Sequence, residues 1–421
     1  MRISLLLPSL LFVQMFSFAQ DACRTADYKQ QVLLKYPELN ARVAEIENFA
    51  QHFIDQKKYR SFNHNAASAE SGIITIPVVV HVLYNTSQEN ICDAQVQSQI
   101  EVLNRDYQRL NADTSKTPAV FKPVAADCGF AFALAKVDPD GYATTGIIHK
   151  KTNVQSFGLQ DGIKFSSSGG DDAWDRDKYL NIWIGNLSGG VLGYSSIVGG
   201  PKENDGVVIL YTAFGTIGTA AAPYNKGRTT THEIGHWLNL IHTWGDANCG
   251  DDHVDDTPPQ SSADRGCPQG IIVSCNNAPN GNMYQNFMDF TNDECMNLFT
   301  NGQKDRMLAL FQPGGERYAI LSSTAVTAAP LPKAVPTSPE TTESSIAVFP
   351  NPSTDNVIVQ LSNDISMGSE LVIYNQVGQK IYSVIIQQSQ FRLNIAAFAK
   401  GIYFLKVNGA KKAITTKLMK L

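Results

Sequence analysis

The sequence predicts an α/β (α+β) domain followed by a smaller all-β sandwich of the Ig-like type. Near residue 74 a buried strand is followed directly by an amphipathic helix, which is typical of α/β layers. After residue 345 the chain has short apolar runs separated by turn residues, which is typical of a sandwich. With 421 residues, the chain is long enough for two or three domains.

Residues 1–19 are typical of a secretory signal peptide. Arg2 precedes an apolar run that ends in SFA, a small-x-small cleavage pattern. A membrane anchor is the alternative, but the run is short and Pro8 and Gln14 interrupt it. No later segment is apolar over about 18 residues, so we expect an exported chain without a transmembrane segment.

Residues 20–72 predict a helical lead segment, and residues 73–325 predict the α/β domain. The large apolar side chains of the lead recur near a helical period, and this pattern ends at SFNHNAASAESG. In the domain, ITIPVVVHVLYN, FAFALAKVD, YLNIWIGN and DGVVILYTAF predict strands. Helices are predicted at DAQVQSQIEVLNRDYQRLN and from TTTHEIGHWLNL onwards.

Residues 326–344 predict an extended linker, because they are rich in Pro, Thr and Ser and contain almost no large apolar residues. Residues 345–421 therefore form a module of their own. Its short runs, among them NVIVQL, FRLNI and GIYFLKV, have the spacing of a small β-sandwich.

The charge balance excludes some partners. Lys and Arg number 34 against 39 Asp and Glu, a net charge of -5. Such a chain has no polybasic field, so we expect neither nucleic acid nor an anionic membrane as a partner.

The segment with the most chemical information is HEIGHWLNLIH. On a helix, His232 and His236 project from one face and can bind one Zn²⁺. Glu233 lies beside them, where its carboxylate can take a proton from a water that attacks a carbonyl. The pattern therefore predicts a hydrolytic zinc site.

A third ligand, His242, requires the chain to leave the helix through a left-handed turn. Asn239 stands where Gly is usual, and Asn is the next best tolerated residue in that conformation. Three His ligands with one open position are typical of catalytic zinc, whereas structural zinc has four protein ligands, mostly Cys. A surface helix with incidental histidines is the alternative.

With NFMDF about fifty residues downstream, this motif resembles the metzincin metallopeptidases. HEIGHWLNLIHTWGD is most similar to the pappalysin family, which includes ulilysin, mirolysin and the cytophagalysins. The resemblance covers roughly residues 23–320 and implies a metzincin-like zincin catalytic domain. It also implies zinc on the three histidines, Glu233 as the general base and Met288 as the Met-turn residue below the metal.

Phe290 departs from the family pattern. It stands where many relatives have a Tyr whose hydroxyl can approach the zinc or the reaction intermediate. Phe has no such donor, so stabilisation of the developing oxyanion depends more on zinc itself. We expect this departure to affect the rate and not the reaction class.

Seven cysteines are an odd number in a chain that is expected to form disulfides. Six of them can pair in 15 ways. The resemblance implies two disulfides that staple the long loop before the Met-turn, and a third is left by elimination. The expected pairs are Cys249–Cys275 and Cys267–Cys295 and, by elimination, Cys92–Cys128.

Cys23 is the cysteine left over. A thiolate is a good zinc ligand, and ACRTADYKQQVLLKYPELNARVAEIE resembles the family's pro-segment, in which such a Cys begins the latency signal. The resemblance thus implies that residues 20–72 are a pro-segment and that Cys23 binds zinc in the latent form. A free or intermolecular thiol is the alternative.

The resemblance implies two further sites. Asp252 and Thr257, in GDDHVDDTPP, offer oxygen donors that suit Ca²⁺, and relatives bind calcium at this loop; a solvated turn is the alternative. Asp305 could lie near the S1′ pocket and favour Arg there, although a charge on a helix surface is the preferred interpretation. His81, in an apolar strand, is expected to be a core residue.

The C-terminal module resembles the sorting domain of the type IX secretion system. The strings VFPNPSTDNVIVQL, VIYNQVGQKIY, GIYFLKV and KKAITTKLMKL carry this resemblance in order. It implies export through the periplasm to the cell surface or medium, with the outer-membrane secretion machinery as a partner. An Ig-like substrate-binding module is the alternative.

Together these features predict a secreted, monomeric zinc metalloendopeptidase that acts on proteins or peptides and stays latent until its pro-segment is removed. DGVVILY is the candidate edge strand that would align the substrate by β-addition. The alternative is a non-catalytic secreted zinc-binding or adhesion protein on the same scaffold, in which Phe290 signals lost catalysis.

Overall fold

The computed structural model describes residues 23–63, 72–331, 346–361, 365, 368–408 and 413–421. The chain divides into two compact units, of which the first ends at Lys333 and the second begins at Ala334. Within the predicted linker, Leu331 still belongs to the first unit, and its N–H donates to Gly141 O at 2.7 Å. The predicted signal peptide lies outside the described residues. Among those described, no helix is both long and apolar enough to cross a membrane.

The described part of the first unit contains two lead helices, a six-stranded sheet and three further α-helices. The lead helices are α1 (Thr25–Lys35) and α2 (Leu39–Asn63). The strands of the sheet are β1 (Ile74–Tyr84), β2 (Phe130–Leu134), β3 (Ile147–Lys151), β4 (Leu180–Gly185), β5 (Gly193–Ser195) and β6 (Val207–Leu210). The other elements are α3 (Asp93–Tyr107), α4 (Arg228–Trp237), the paired strands β7 (Arg265–Gly266) and β8 (Phe290–Thr291), and α5 (Asn301–Ala309).

The sheet has the order β2-β1-β4-β6-β5, and β3 also pairs with β1. All pairs are parallel except β5 with β6. The expectation that DGVVILY forms the edge strand is wrong, because its strand β6 lies between β4 and β5. The edge is β5, whose three residues are too few to show an alternating pattern in the sequence.

Alternate residues of the central strands pack into two apolar clusters on opposite faces of the sheet. One cluster joins Ile182 of β4 to residues of α3 and α4, such as Leu103 and Ile234. The other joins Trp183 of β4 to Tyr28 of α1. The sheet is therefore covered on both faces, which explains why β1, β4 and β6 are nearly continuous apolar runs in the sequence.

The second unit contains two antiparallel sheets, as predicted for an all-β module. Their apolar side chains form one cluster that includes Val359, Ile373 and Leu405. The sheet orders are β13-β10-β9 and β12-β11-β14-β15, built from β9 (Ile346–Phe349), β10 (Asn356–Leu361), β11 (Glu370–Asn375), β12 (Lys380–Ile385), β13 (Gln390–Asn394), β14 (Gly401–Asn408) and β15 (Ala413–Lys420).

Two disulfides fasten the long connection between α4 and α5. They are Cys249–Cys275 and Cys267–Cys295, the two that the resemblance implies. Within this connection the described regular structure is limited to the two-residue strands β7 and β8. Because the connection has little apolar periodicity, the cross-links stabilise it mainly by restricting its unfolded state.

The expected pairing of Cys92 with Cys128 is wrong. Cys92 is an exposed free thiol just before α3, whereas Cys128 is a buried free thiol at the other end of that helix, where its N–H donates to Tyr107 O at 2.8 Å. A helix of 15 residues is about 22 Å long, and a disulfide needs Cα atoms within about 7 Å. Elimination failed because it assumed that all but one cysteine must pair.

Thiol labelling of the folded chain will distinguish the three free cysteines. We expect Cys92 to react promptly with a maleimide, because it is exposed, and Cys23 and Cys128 to react only after denaturation, because they are buried. Burial also raises the pKa of Cys128, which disfavours its thiolate. Peptide mass spectrometry identifies the labelled positions, and Cys92→Ser should abolish native labelling. Failure of both Cys92 and Cys128 to react after denaturation without reductant would support the disulfide instead.

Candidate metal centre

Helix α4 carries the first part of the histidine motif, although its three Thr residues and Gly235 are poor helix formers. Tertiary contacts hold it, since all ten of its residues are buried. At its start, Asp293 Oδ2 accepts the backbone N–H groups of Lys226 (2.7 Å) and Arg228 (3.2 Å). A carboxylate distant in sequence thus stabilises the positive end of the helix.

The three histidines of the motif converge on one point. The Nε2 atom of His236 lies 3.1 Å from that of His232 and 3.1 Å from that of His242. The chain reaches His242 through Asn239, whose φ of 69° is the left-handed conformation that the motif requires. Leu240 then donates its N–H to Gly235 O at 2.9 Å and closes the turn.

Each of the three imidazoles has an acceptor for its other nitrogen, Nδ1. An Nδ1–H that donates leaves Nε2 with a free lone pair, so these acceptors select the tautomer that binds a metal. The acceptors are Phe287 O for His232 (2.6 Å), Leu240 O for His236 (2.9 Å) and the Asp246 carboxylate for His242.

The chemistry of this donor set fits zinc. Burial lowers the pKa of His232 to about 3 and also lowers that of His236, so both rings are neutral, as metal ligands must be. Lone pairs that face one another at 3.1 Å repel unless a cation lies between them. Zn–N bonds of about 2.0–2.1 Å at tetrahedral angles would separate the nitrogens by about 3.4 Å, close to the distance seen.

Cys23 brings a fourth ligand atom to the same point. Its Sγ lies 3.5 Å from Nε2 of His236, and the four ligand atoms all lie within 4.8 Å of one another. The residues around Cys23 run parallel to the edge strand β5, and Arg24 N–H donates to Gly193 O at 3.1 Å. The lead segment therefore covers both the histidine cluster and the edge of the sheet.

Glu233 is held by the lead segment as well. Thr25 Oγ1 donates to Glu233 Oε2 at 2.7 Å and accepts the N–H of Ser195 at 2.8 Å. The other oxygen, Oε1, is buried without a hydrogen-bond partner, and burial raises the pKa of Glu233 to about 8. Sequence analysis missed Thr25, whose only signal was its place two residues after Cys23.

Met288 lies directly against α4, as a Met-turn residue should. A Cβ added to Gly235 would meet Met288 Sδ at 2.4 Å, so the glycine of the HEIGH motif makes room for this contact. Phe290 packs its ring 4.9 Å from that of His242, and Trp244 stacks on His242 from 4.3 Å. These apolar contacts hold the imidazole in place but offer no hydrogen-bond donor at Phe290.

Asp205, a second residue that sequence analysis missed, holds α4 from below. It accepts Trp237 Nε1–H at 2.7 Å and binds Arg317 at 2.8 and 2.9 Å and Arg176 at 3.1 Å. Burial alone would raise the pKa of Asp205, but Arg317 and Arg176 outweigh it and lower the pKa, so the carboxylate stays charged. Only the fold brings these residues together, so the sequence contained no signal for this contact.

The two residues proposed for calcium, Asp252 and Thr257, are neighbours. Thr257 Oγ1 donates to Asp252 Oδ2 at 2.7 Å, and burial raises the pKa of Asp252 to about 7. Calcium binding at this pair stays a prediction.

Asp305 lies on α5 and pairs with Lys57 of α2 at 2.5 Å, in keeping with a helix-surface charge. The pocket beside Glu233 is lined instead by the acids Asp289 and Asp293.

His81 is buried as expected, and its Nδ1 lies 2.7 Å from Asp171.

Comparison with known proteins agrees with this geometry. Residues 166–312 match the family profile of pregnancy-associated plasma protein-A. An extracellular metalloprotease from Pyricularia oryzae is 32% identical over 254 residues, which cover 58% of this chain and 77% of the relative. Residues 347–421 match the profile of the secretion system C-terminal sorting domain.

Two solved structures from Tannerella forsythia share the fold of the first unit. Mature mirolysin in complex with a cleaved peptide is 46% identical, with a TM-score of 0.59 over 60% of this chain and 97% of that chain. A promirolysin mutant is 41% identical, with a TM-score of 0.65 over 71% of this chain and 97% of that chain.

The fold, the histidine cluster and these likenesses define a metzincin-like metalloprotease that is exported through the type IX secretion system. The chain belongs to the pappalysin family, the family of pregnancy-associated plasma protein-A. Both resemblances that the sequence showed are thereby confirmed, and the sorting domain replaces the alternative of a substrate-binding module.

Substitution of Asp205 will test its role under α4. We expect Asp205→Asn to lower the free energy of unfolding by about 3–5 kcal/mol, because the buried Arg317 loses its charged partner and the buried Arg176 keeps only its pairs with Glu316 and Asp177. Denaturant titration followed by tryptophan fluorescence measures this change. Asp255→Asn is the control, since Asp255 and its partner Lys58 are both exposed and the loss should stay below about 1 kcal/mol. Equal effects of the two substitutions would contradict the assignment.

Proposed function

We propose that this protein hydrolyses internal peptide bonds at a zinc ion held by His232, His236 and His242, with Glu233 as the general base. The observation that supports this most directly is the convergence of three imidazole Nε2 atoms beside a buried carboxylate. A structural zinc site would present four protein ligands from the folded domain, whereas here the fourth comes from a separable lead segment.

Glu233 has the position and the free atom that a general base needs. When bound, zinc would polarise the scissile carbonyl and make a water molecule easier to deprotonate. The unpartnered Oε1 of Glu233 can accept the proton of the attacking water and later return it to the leaving amine.

We assign the alignment of the substrate to β5, the edge strand that the lead segment covers. An extended peptide can add to its free backbone groups in place of Cys23 and Arg24. Gly193 is required there, since a Cβ on it would meet Glu233 Cγ at 2.9 Å. The strand can therefore approach the general base closely enough to place a peptide bond beside it.

Residues 20–72 would keep the enzyme latent as a pro-segment. Cys23 Sγ takes the position of the fourth ligand and Thr25 occupies Glu233, so neither water nor substrate can reach the centre. The competing function, a non-catalytic zinc-binding or adhesion protein, depends on Phe290 alone. Phe290 lacks the hydroxyl that a Tyr would have at this position, but the histidines and Glu233 stay in place.

Cleavage of casein or gelatin by the processed protein will test the peptidase function. We expect a chelator to abolish cleavage and added zinc to restore it, and Glu233→Gln to lower kcat by about 10²–10⁴ because proton transfer is lost. The Glu233→Gln protein should keep its zinc, since all three histidines remain. Glu203→Gln, at an exposed acid, is the matched control and should retain full activity. Cleavage that persists with chelator, or in Glu233→Gln, would contradict the proposal.

The unprocessed chain will test latency. We expect Cys23→Ala to give a precursor that cleaves peptides before any processing, but more slowly than the processed enzyme, because the fourth ligand position is free while Thr25 and Arg24 still cover Glu233 and β5. Cys92→Ala should stay latent, since Cys92 is exposed and lies before α3. The rate is compared with that of the processed enzyme, with intact precursor verified by mass spectrometry. A Cys23→Ala precursor as inert as the unmodified one, beside an active processed enzyme, would exclude this role.

A further inference from the structure

Two pockets flank the histidine cluster. One adjoins His232 and Glu233 and belongs to the site described above. The other, here called the Arg306 pocket, adjoins His236 and is walled by Asn239, Asp246 and Arg306 on one side and by residues of α1 and α2 on the other. The residues that follow β5 also line it, so it lies along the path of a peptide added to that strand.

Arg306 makes one charged contact in this pocket, and the partner belongs to α2. Its Nη1 and Nη2 bind the two carboxylate oxygens of Glu47 at 2.6 and 2.5 Å, while its Nε donates to Asn239 O at 2.7 Å. The Arg306 side chain is fully buried, whereas Glu47 is 28% exposed. Within the described part of the chain, Glu47 is the carboxylate with which Arg306 forms an ion pair.

Removal of the lead segment would take away only one partner of the ion pair between Arg306 and Glu47. Glu47 leaves with α2, but Arg306 stays on α5 and keeps its bond to the Asn239 carbonyl. Both Nη groups then lose their partners while the aliphatic part of the side chain remains packed. An unpaired guanidinium in such a pocket favours a new carboxylate, which the planar group can bind through two parallel hydrogen bonds.

Asn239 adds a second donor to the same pocket. Its Nδ2 is buried and has no hydrogen-bond partner. Asn239 stands where Gly is usual in the motif, so this amide is an addition that the turn itself does not require. Asp246 is the carboxylate that stays in the pocket wall, and it is already engaged by Nδ1 of His242.

We propose that in the processed enzyme the Arg306 pocket is a substrate subsite for an acidic side chain, bound by Arg306 and Asn239. Glu47 occupies this subsite in the precursor as a stand-in for the substrate carboxylate. The inference rests on the proposed function, because it requires a peptide substrate and the departure of the lead segment. It adds a specificity-determining pair in a pocket distinct from that of Glu233.

The test compares peptides that differ in one residue. The processed enzyme is given peptides with blocked ends, in which a single Glu, Gln or Lys is moved stepwise away from the scissile bond on either side. We expect one position at which Glu raises kcat/KM over Gln by about tenfold or more, since a charged bidentate contact replaces a neutral one. The gain should appear mainly as a lower KM, because the contact lies away from the reacting atoms.

Variants then assign the preference to the pocket. The ratio of kcat/KM for the Glu and Gln peptides should fall to near one in Arg306→Gln and to an intermediate value in Arg306→Lys. Asn239→Gly suits the φ of 69° and should lower the ratio in part. Lys304→Gln, at a cation on the same helix outside the pocket lining, should leave the ratio unchanged. Because each ratio is measured on one enzyme sample, a loss of folded protein does not alter it.

The outcomes separate this inference from the proposed function. Equal cleavage of Glu and Gln peptides at every position would overturn the acidic subsite while leaving the peptidase intact. A Glu preference that persists in Arg306→Gln would also overturn it, since another group would then bind the acid. A purely structural Arg306 would lower kcat for Glu and Gln peptides equally. Absence of chelator-sensitive cleavage of any peptide would overturn the proposed function itself.

Discussion

The site depends on holding Nε2 of His236 at 3.1 Å from Nε2 of both His232 and His242, an arrangement whose facing lone pairs repel one another without a cation. The surrounding fold supplies the constraint. Phe287, Leu240 and Asp246 fix the three tautomers through Nδ1, and Met288 packs under Gly235. The ion pairs of Asp205 hold the helix that carries two of the rings. These contacts thus hold together a site that would be electrostatically unfavourable on its own.

The lead segment satisfies the same groups that a substrate and an attacking water would use. Cys23 Sγ lies beside Nε2 of His236, Thr25 donates to the Glu233 carboxylate, and Arg24 pairs with the edge strand. Further along, Glu47 satisfies Arg306 and Tyr28 fills the apolar cluster above the sheet. In the proposed latency mechanism, the lead segment would block the site by occupying groups that are already in place.

Local sequence patterns predicted the parts of the site that lie close together along the chain. Two histidines four residues apart on one helix, and a left-handed turn at Asn239 before His242, follow from helical geometry alone. The same analysis failed for contacts between distant segments. Cys92 and Cys128 were paired by counting, but a full helix separates them. DGVVILY was named as the candidate edge, but its strand lies inside the sheet, where a nearly continuous apolar run is expected.

The sequence by itself determined the metal-binding motif, the two loop disulfides through the family resemblance, the order of elements and the C-terminal sorting module. Each of these is encoded by composition or by residues at fixed short spacing. Such signals can be recognised without knowledge of the fold. Only the tertiary structure decided that β5 is the edge, that Asp205 supports α4, and that Glu47 faces Arg306 beside the metal centre. The residues involved are tens to hundreds of positions apart in the sequence. The order of the strands and the pairing of buried charges in three dimensions bring them together.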